Sequence, residues 1–334
     1  MSKINVLLLC GGGSDEHDIS LISANFIQSH LIKHPDIELV RLELDGNGRY
    51  LAEDTTEAYL TREKELVFQN QAPNWKVDFV IPCFHGFPGE TGDIQSLLTL
   101  YQIPFLGADA QASIHCFNKV TAKQWFTALG IPNTPYLFLS ECNEQALTQA
   151  EQAFDDWGSI FIKASNQGSS VGCYKIENKS EIKPKLAEAF TFSDYVLIEK
   201  SITARELEVA VYEYDGEIVA TLPGEIVCAE NSFYSYEEKY ASNSLATTDT
   251  VAKGLSKAMT DRIRQYAINV FKGMKISHLS RIDFFVTHDD EILLNEINTF
   301  PGMTPISMFP KMLENHGDDF SKFMVNIIKK ETVT

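Results

Sequence analysis

The chain has 334 residues, 44% of them hydrophobic, which is enough for a large buried core and for two or three domains. Its 46 Asp and Glu outnumber 28 Lys and Arg, giving a formal net charge of -18 with the lysines scattered, so nucleic acid and anionic membrane surfaces are excluded as expected partners. The six cysteines, Cys10, Cys83, Cys116, Cys142, Cys173 and Cys228, have no C-x-x-C and no short Cys/His spacing, which excludes zinc and redox motifs and predicts reduced thiols in a cytoplasm.

The run Ile4 to Cys10 after Lys3 is too short for a signal sequence and stops at Gly11-Gly12-Gly13 without a small-residue cleavage site, so it reads as a first buried strand. No stretch approaches the length of a transmembrane helix. A helix (about His17 to Ile32), a strand (about Glu38 to Leu44), a strand (Val77 to Phe84) and a helix (about Thr91 to Tyr101) follow, an order that predicts a parallel sheet with helical crossovers. The loop Gly11 to Glu16 sits where a dinucleotide fold places its phosphates, but Glu16 replaces the third glycine. A carboxylate there suits an ammonium group better than a pyrophosphate, or is simply a first-turn helix residue.

From about Ser113 to Gly130 the pattern is helical, and Gly130 to Pro135 ends it at a domain boundary. Strands at Ile160 to Ala164, Val171 to Ile176, Tyr195 to Lys200, Glu206 to Tyr212 and Ile218 to Leu222, with a helix near Glu181 to Ala189, predict an α+β region. The glycine-serine loop Gln167 to Gly172 can fold over phosphates or be a plain hairpin turn. Lys163, at the end of the strand before it, needs an anionic partner if buried. Glu199, which ends the strand Val196 to Lys200, and Glu206 after a short loop fit an interdomain nucleotide hinge. The polar, tyrosine-rich stretch 225-249 is too long for a routine connection and reads as an active-site lid.

The strongest pattern is Ser280-Arg281-Ile282-Asp283 with Asn295-Glu296-Ile297-Asn298, on two strands joined near Thr287 to Glu291. A two-residue turn at Asp289-Asp290 would pair His288 with Glu291, set Asp283 opposite Glu296 and Arg281 opposite Asn298, and crowd all four on one face. Two carboxylates and an amide carbonyl suit Mg²⁺; an ordinary solvated hairpin is the alternative.

Five signatures occur in order: Gly12 to Ser20, His85 to Gln95, Lys163 to Gly172, Tyr234 to Tyr240, and the hairpin ending in Pro301-Gly302-Met303-Thr304. With them, across nearly its full length, the chain resembles the D-alanine:D-alanine ligase family of ATP-grasp enzymes. The resemblance implies an ATP-grasp fold, α/β and α+β, with an N-terminal parallel-sheet (pre-ATP-grasp) domain over 1-112, a central subdomain over 113-205 and a C-terminal one over 206-334 carrying the metal site and the lid. It implies that Lys119, Lys163, Ser169, Ser170 and Lys239 hold ATP phosphates, that Glu199, Lys200, Ile202, Glu206 and Asn295 surround the nucleotide, and that Asp283, Glu296 and Asn298 bind two Mg²⁺, with Mn²⁺ as a substitute. Glu16 and His85 would hold the first D-alanine; Ser307 and Met308 would line the second site. Arg281 and the Gly302 N–H would stabilise the oxyanion, and Glu16, Ser169 and Tyr240 would form a lid-closing triad. Thr91 and Ala164 depart from the aspartate and proline common in the family, and Met308 stands where D-serine-adding relatives use arginine. The implied activity is ATP-dependent joining of two D-alanines through an acyl phosphate for peptidoglycan precursors, in a cytoplasmic homodimer.

Overall fold

A computed structural model describes residues 3–13, 16–69, 74–227 and 247–333. The first sheet grows from β1 (Ile4–Gly11), which is followed by α1 (His17–Leu31) and by β2 (Ile37–Leu44), its parallel partner. Short strands then extend the sheet antiparallel from β2: β3 (Tyr50–Leu51), β4 (Glu57–Leu60), β5 (Glu65–Phe68) and β6 (Trp75–Lys76). Next, β7 (Phe79–Pro82) pairs in parallel with the free side of β1, before α2 (Asp93–Leu100). The expected parallel sheet is therefore the centre of a mixed one. The antiparallel extension escapes sequence reading because strands of two to four residues are too short to show a period.

The helix expected over about 113 to 130 is two helices, α3 (Ala110–Phe117) and α4 (Lys119–Ala128). Asn118 breaks them by taking an extended conformation, and its side chain accepts the Thr121 N–H as the N-cap of α4. A second, wholly antiparallel sheet follows. It is built from β8 (Tyr136–Leu139), β9 (Ile160–Ala164), β10 (Cys173–Ile176) and β11 (Val196–Lys200) in the order β10-β9-β11-β8, with α5 (Glu144–Trp157) and α6 (Ile182–Ala189) packed on one face.

The third sheet carries β12 (Ala204–Tyr214), β13 (Glu217–Ala220), β14 (Gly224–Val227) and β15 (Thr247–Asp249); after α7 (Lys257–Gly273) come β16 (Leu279–Thr287) and β17 (Ile292–Asn298). Its path is β15-β14-β12-β16-β17, with β13 also on β12. Alternation along β12 splits its side chains between two cores. Leu207, Val209 and Val211 pack with α7, whereas Ala210 and Tyr212 pack with the last helices, α8 (Met308–His316) and α9 (Phe320–Thr332). That second core also contains Val6 and Leu8 of β1, Ile81 of β7 and Ile27 of α1, so α8 and α9 close one face of the first sheet. No helix among the described residues is long and apolar enough to cross a membrane.

Phe323 is fully buried at this seam, its ring 5.4 Å from that of Tyr212. Phe323→Ala is expected to cost about 3–5 kcal/mol, read as a lower urea midpoint at unchanged slope. A loss below about 1 kcal/mol would mean that the seam collapses around the cavity or carries little of the stability.

Candidate functional site

The β16–β17 hairpin places Asp283 opposite Glu296 and Arg281 opposite Asn298, as expected, but by a different route. The turn has three residues, not two. Thr287 and Glu291 close it (Thr287 N to Glu291 O, 3.0 Å), and Asp290 takes a left-handed φ of 62°. That shifts the pairing by one, so Val286 faces Ile292, and a bulge at Asn295 shifts it back between Phe284 and Asp283. On the other side, β12 pairs with β16 so that Glu208 lies opposite Asp283 and Ala210 opposite Arg281. Arg281 is held by a bidentate pair to Asp283 (Nε–Oδ1 2.8 Å, Nη2–Oδ2 2.7 Å) and by Glu208 (Nε–Oε1 3.2 Å). Asn298 Nδ2 donates to Asp283 Oδ2 at 3.0 Å. Burial alone would lower the Arg281 pKa, but Asp283 and Glu208 outweigh it and hold the guanidinium charged well above its ordinary range.

Facing this acidic wall is a basic one. Lys119 and Lys123 lie four residues apart on α4, and Lys163 comes from β9. Glu199 of β11, only 2% exposed, places one carboxylate oxygen on Lys163 Nζ (2.5 Å) and the other on Lys123 Nζ. Burial pushes the Glu199 carboxyl up, but the two lysines more than offset it and hold it down to about 2. For the lysines, burial lowers both: it prevails at Lys123, whereas at Lys163 the Glu199 charge prevails and raises the value. Glu199 thus answers the need of Lys163 for an anion, and both its oxygens face lysines. Sequence reading passed over Lys123; its signal is the Lys-x-x-x-Lys spacing, which puts two like charges on one helical face.

The glycine-serine loop is fastened to the start of α4. Ser165 O accepts the Lys119 N–H (3.0 Å), Ser165 Oγ donates to Asn118 Oδ1 (2.9 Å), and Lys119 Nζ donates to Gln167 O (2.5 Å). Ser169 and Ser170 both take left-handed φ values, 47° and 62°, a strain that non-glycine residues keep where the surroundings over-determine them. Ser169 Oγ donates to Glu16 Oε1 (2.5 Å) across 153 residues, and a Cβ on Gly168 would come within 2.9 Å of Glu16 Oε2. Glu16 itself begins α1. Beside it, His85 is 4% exposed and meets Ser23 Oγ through Nε2 (2.9 Å); burial lowers its pKa, so the ring is neutral. At the far side Ser307 precedes α8, with its Oγ accepting the Thr304 N–H (3.0 Å), and a Cβ on Gly302 would come within 2.9 Å of that oxygen.

Two adjoining cavities, about 460 and 660 Å³, meet between the walls. Lys119, Lys163, Ser169, Glu199, Arg281, Asn295 and Glu296 line both. Ser170, Lys200, Ile202, Glu206 and Asp283 line the smaller one alone; Glu16, His85, Asn298, Gly302, Ser307 and Met308 line the larger one alone. Lys239, Tyr240 and most of the expected lid lie outside the described residues. Glu208, which lines both cavities, and Glu90, in the larger, were not singled out in the sequence.

Glu90 accepts the Gly86 N–H at 2.9 Å, yet burial, reinforced by the nearby Glu16 charge, pushes its carboxyl from an ordinary 4.5 up to about 8. The folded protein therefore holds this proton more tightly than the unfolded chain, and the resulting stability is full below about pH 4.5 and is lost as pH rises to about 8. Thermal melts should show Glu90→Gln losing less stability than the parent between about pH 5 and 8; parallel curves for the two proteins would place the dependence elsewhere.

Comparison with known proteins bears directly on this arrangement. The family model described as D-ala D-ala ligase N-terminus matches residues 5–108, and D-ala D-ala ligase C-terminus matches residues 125–329. A D-alanine--D-alanine ligase of Shewanella woodyi is 61% identical over 336 residues, covering all of both chains. The crystal structure of D-alanyl-alanine synthetase A from Vibrio cholerae superposes with a TM-score of 0.95 at 50% identity over 100% of both chains. The VanG D-Ala:D-Ser ligase of Enterococcus faecalis superposes at 0.87 with 26% identity, over 99% of this chain and 100% of that one. The three-sheet architecture is thus the ATP-grasp fold, and the chain is a member of the ATP-dependent D-alanine–D-alanine ligase family.

Proposed function

We infer that this chain joins two D-alanine molecules at the expense of ATP, giving D-alanyl-D-alanine, ADP and phosphate for peptidoglycan precursors. The observation that supports this reading best is the face carrying Arg281, Asp283, Glu296 and Asn298 at the junction of two cavities that share Lys119 and Lys163, the larger of them also lined by Glu16 and His85. The smaller cavity takes ATP, with Lys200, Ile202 and Glu206 around the adenosine and Lys119, Lys163, Ser169 and Ser170 on the phosphates. The larger takes the amino acids: Glu16 accepts the first ammonium with His85 beside it, while Ser307 and Met308 receive the second molecule at the start of α8.

A carboxylate is a poor electrophile. The first D-alanine carboxylate attacks the γ-phosphorus, ADP leaves, and the acyl phosphate so formed is attacked by the neutral amine of the second D-alanine, expelling phosphate. Arg281 and the Gly302 N–H face the carbonyl oxygen and stabilise the charge that gathers on it. Asp283, Glu296 and Asn298 share one face and carry two carboxylates and an amide oxygen, a set that would hold Mg²⁺, two ions in this reading, with Mn²⁺ as substitute. The ions supply charge neutralisation at the phosphates. Five cysteines outside any disulfide and no helix long and apolar enough to cross a membrane, both among the described residues, accompany the proposal of a cytoplasmic homodimer.

Arg281→Met should lower turnover by about 10²–10³, roughly 2.7–4 kcal/mol, with the Michaelis constant for ATP little changed. A defect confined to ATP binding would give Arg281 another role. Phosphate release with ATP and D-alanine tests the reaction itself, and product analysis with D-alanine and D-lactate in competition tests the nucleophile. Among the described cavity residues the one histidine, His85, is held neutral by burial, so no cationic histidine among them favours the hydroxy acid. Dipeptide formation should weaken as pH falls toward about 6, because the amine is protonated, and no ester should replace it. Ester as a main product at the acid end would overturn the assignment.

A further inference from the structure

Asp283 has two tasks that compete. Both its oxygens engage the Arg281 guanidinium, at 2.8 and 2.7 Å, and Oδ2 also accepts from Asn298. In the function proposed above the same oxygens belong to a divalent cation, and a cation bound there repels the guanidinium it displaces. Arg281 must nevertheless stay in place, because it is assigned to the reacting carbonyl oxygen. Burial forbids it a place without an anion, since an unpaired charge in such a site costs several kcal/mol.

Only one other carboxylate is recorded within ion-pairing distance of Arg281 among the described residues. Glu208 sits directly opposite Asp283 in the β12–β16 register, is 7% exposed, and brings Oε1 to 3.2 Å from Arg281 Nε. Its position on the inner strand β12 places it across Asp283 from Glu296 on β17. We propose that Glu208 is the positioning residue that retains the Arg281 guanidinium when Asp283 is given over to a divalent cation, so that metal binding and arginine placement do not exclude each other. The inference rests on the metal reading above.

It predicts a particular pattern in a double-mutant cycle read by Mn²⁺ affinity, measured from the electron paramagnetic resonance of free Mn²⁺ in titrations of the full chain with ADP present. In Glu208→Gln the arginine is left with Asp283 alone, and Mn²⁺ must compete for it; affinity should fall roughly tenfold. In the Arg281→Met background the competitor is gone, and adding Glu208→Gln should change affinity by less than about twofold. An equal loss in both backgrounds would make Glu208 a direct ligand or a structural residue, and no loss in either would remove it from the site; both outcomes overturn the proposal. Should Glu208→Gln fail to fold by circular dichroism, Glu208→Asp, which keeps the charge but shortens its reach, should show a smaller loss that Arg281→Met abolishes in the same way. Glu296→Gln is the control for the reading beneath: if it leaves Mn²⁺ affinity at the parent value, the metal assignment fails, whereas a weakened control with an additive cycle fails Glu208 alone.

Discussion

The site depends on one constraint, the pairing register of β12, β16 and β17. Because side chains alternate along a strand, setting Glu208 opposite Asp283 and Asp283 opposite Glu296 places three carboxylates side by side, with a single arginine among them. The wall across the cavities has the opposite imbalance, with Lys123 and Lys163 on the one carboxylate of Glu199 and Lys119 beside them on the cavity lining. A polyanion against the lysines and a cation against the carboxylates are complementary to these two walls, which is what the proposed metal-bound triphosphate would supply and a neutral ligand of the same size would not.

Between the walls the glycine-serine loop links charge to conformation. Two successive serines in left-handed geometry would relax if nothing held them, and what holds the loop lies far earlier in the chain: Glu16 on Ser169, and α4 on Ser165 and Gln167. Ala164 takes part, since its N–H donates to Gly172 O at 2.9 Å and so closes the loop. A proline there would lack this donor, which gives the departure from the family pattern a local physical meaning.

Much of this was legible in the sequence. The paired carboxylates, the strand lysine before a glycine-serine loop and the helix-initial Glu16 are local patterns, and the structure gathers them around two cavities. The hairpin is instructive because the expected pairing at Asp283 emerges from two departures that cancel, a turn one residue longer and a bulge at Asn295. Alternation reports which face a residue occupies near it, but an extra residue on one strand leaves no mark in composition. Lys123 and Glu208 were missed for another reason. Each gains its meaning only from a partner remote in sequence, Glu199 for one and Arg281 for the other, and alone each looks like a solvated charge on a helix or strand.

The seam between the first sheet and α8 and α9 has a consequence for how the chain is made. Val6, Leu8 and Ile81 share a core with Phe309 and Phe323, and Asp36 meets Lys329 across 293 residues. During synthesis β1 and β7 leave the ribosome with that face uncovered, and it stays uncovered until nearly everything between has been translated. At about 5–20 residues per second the wait lasts on the order of half a minute. That face of the first sheet therefore stays exposed apolar surface for as long as α8 and α9 have yet to be made, although β1 and β7 precede them by more than 200 residues.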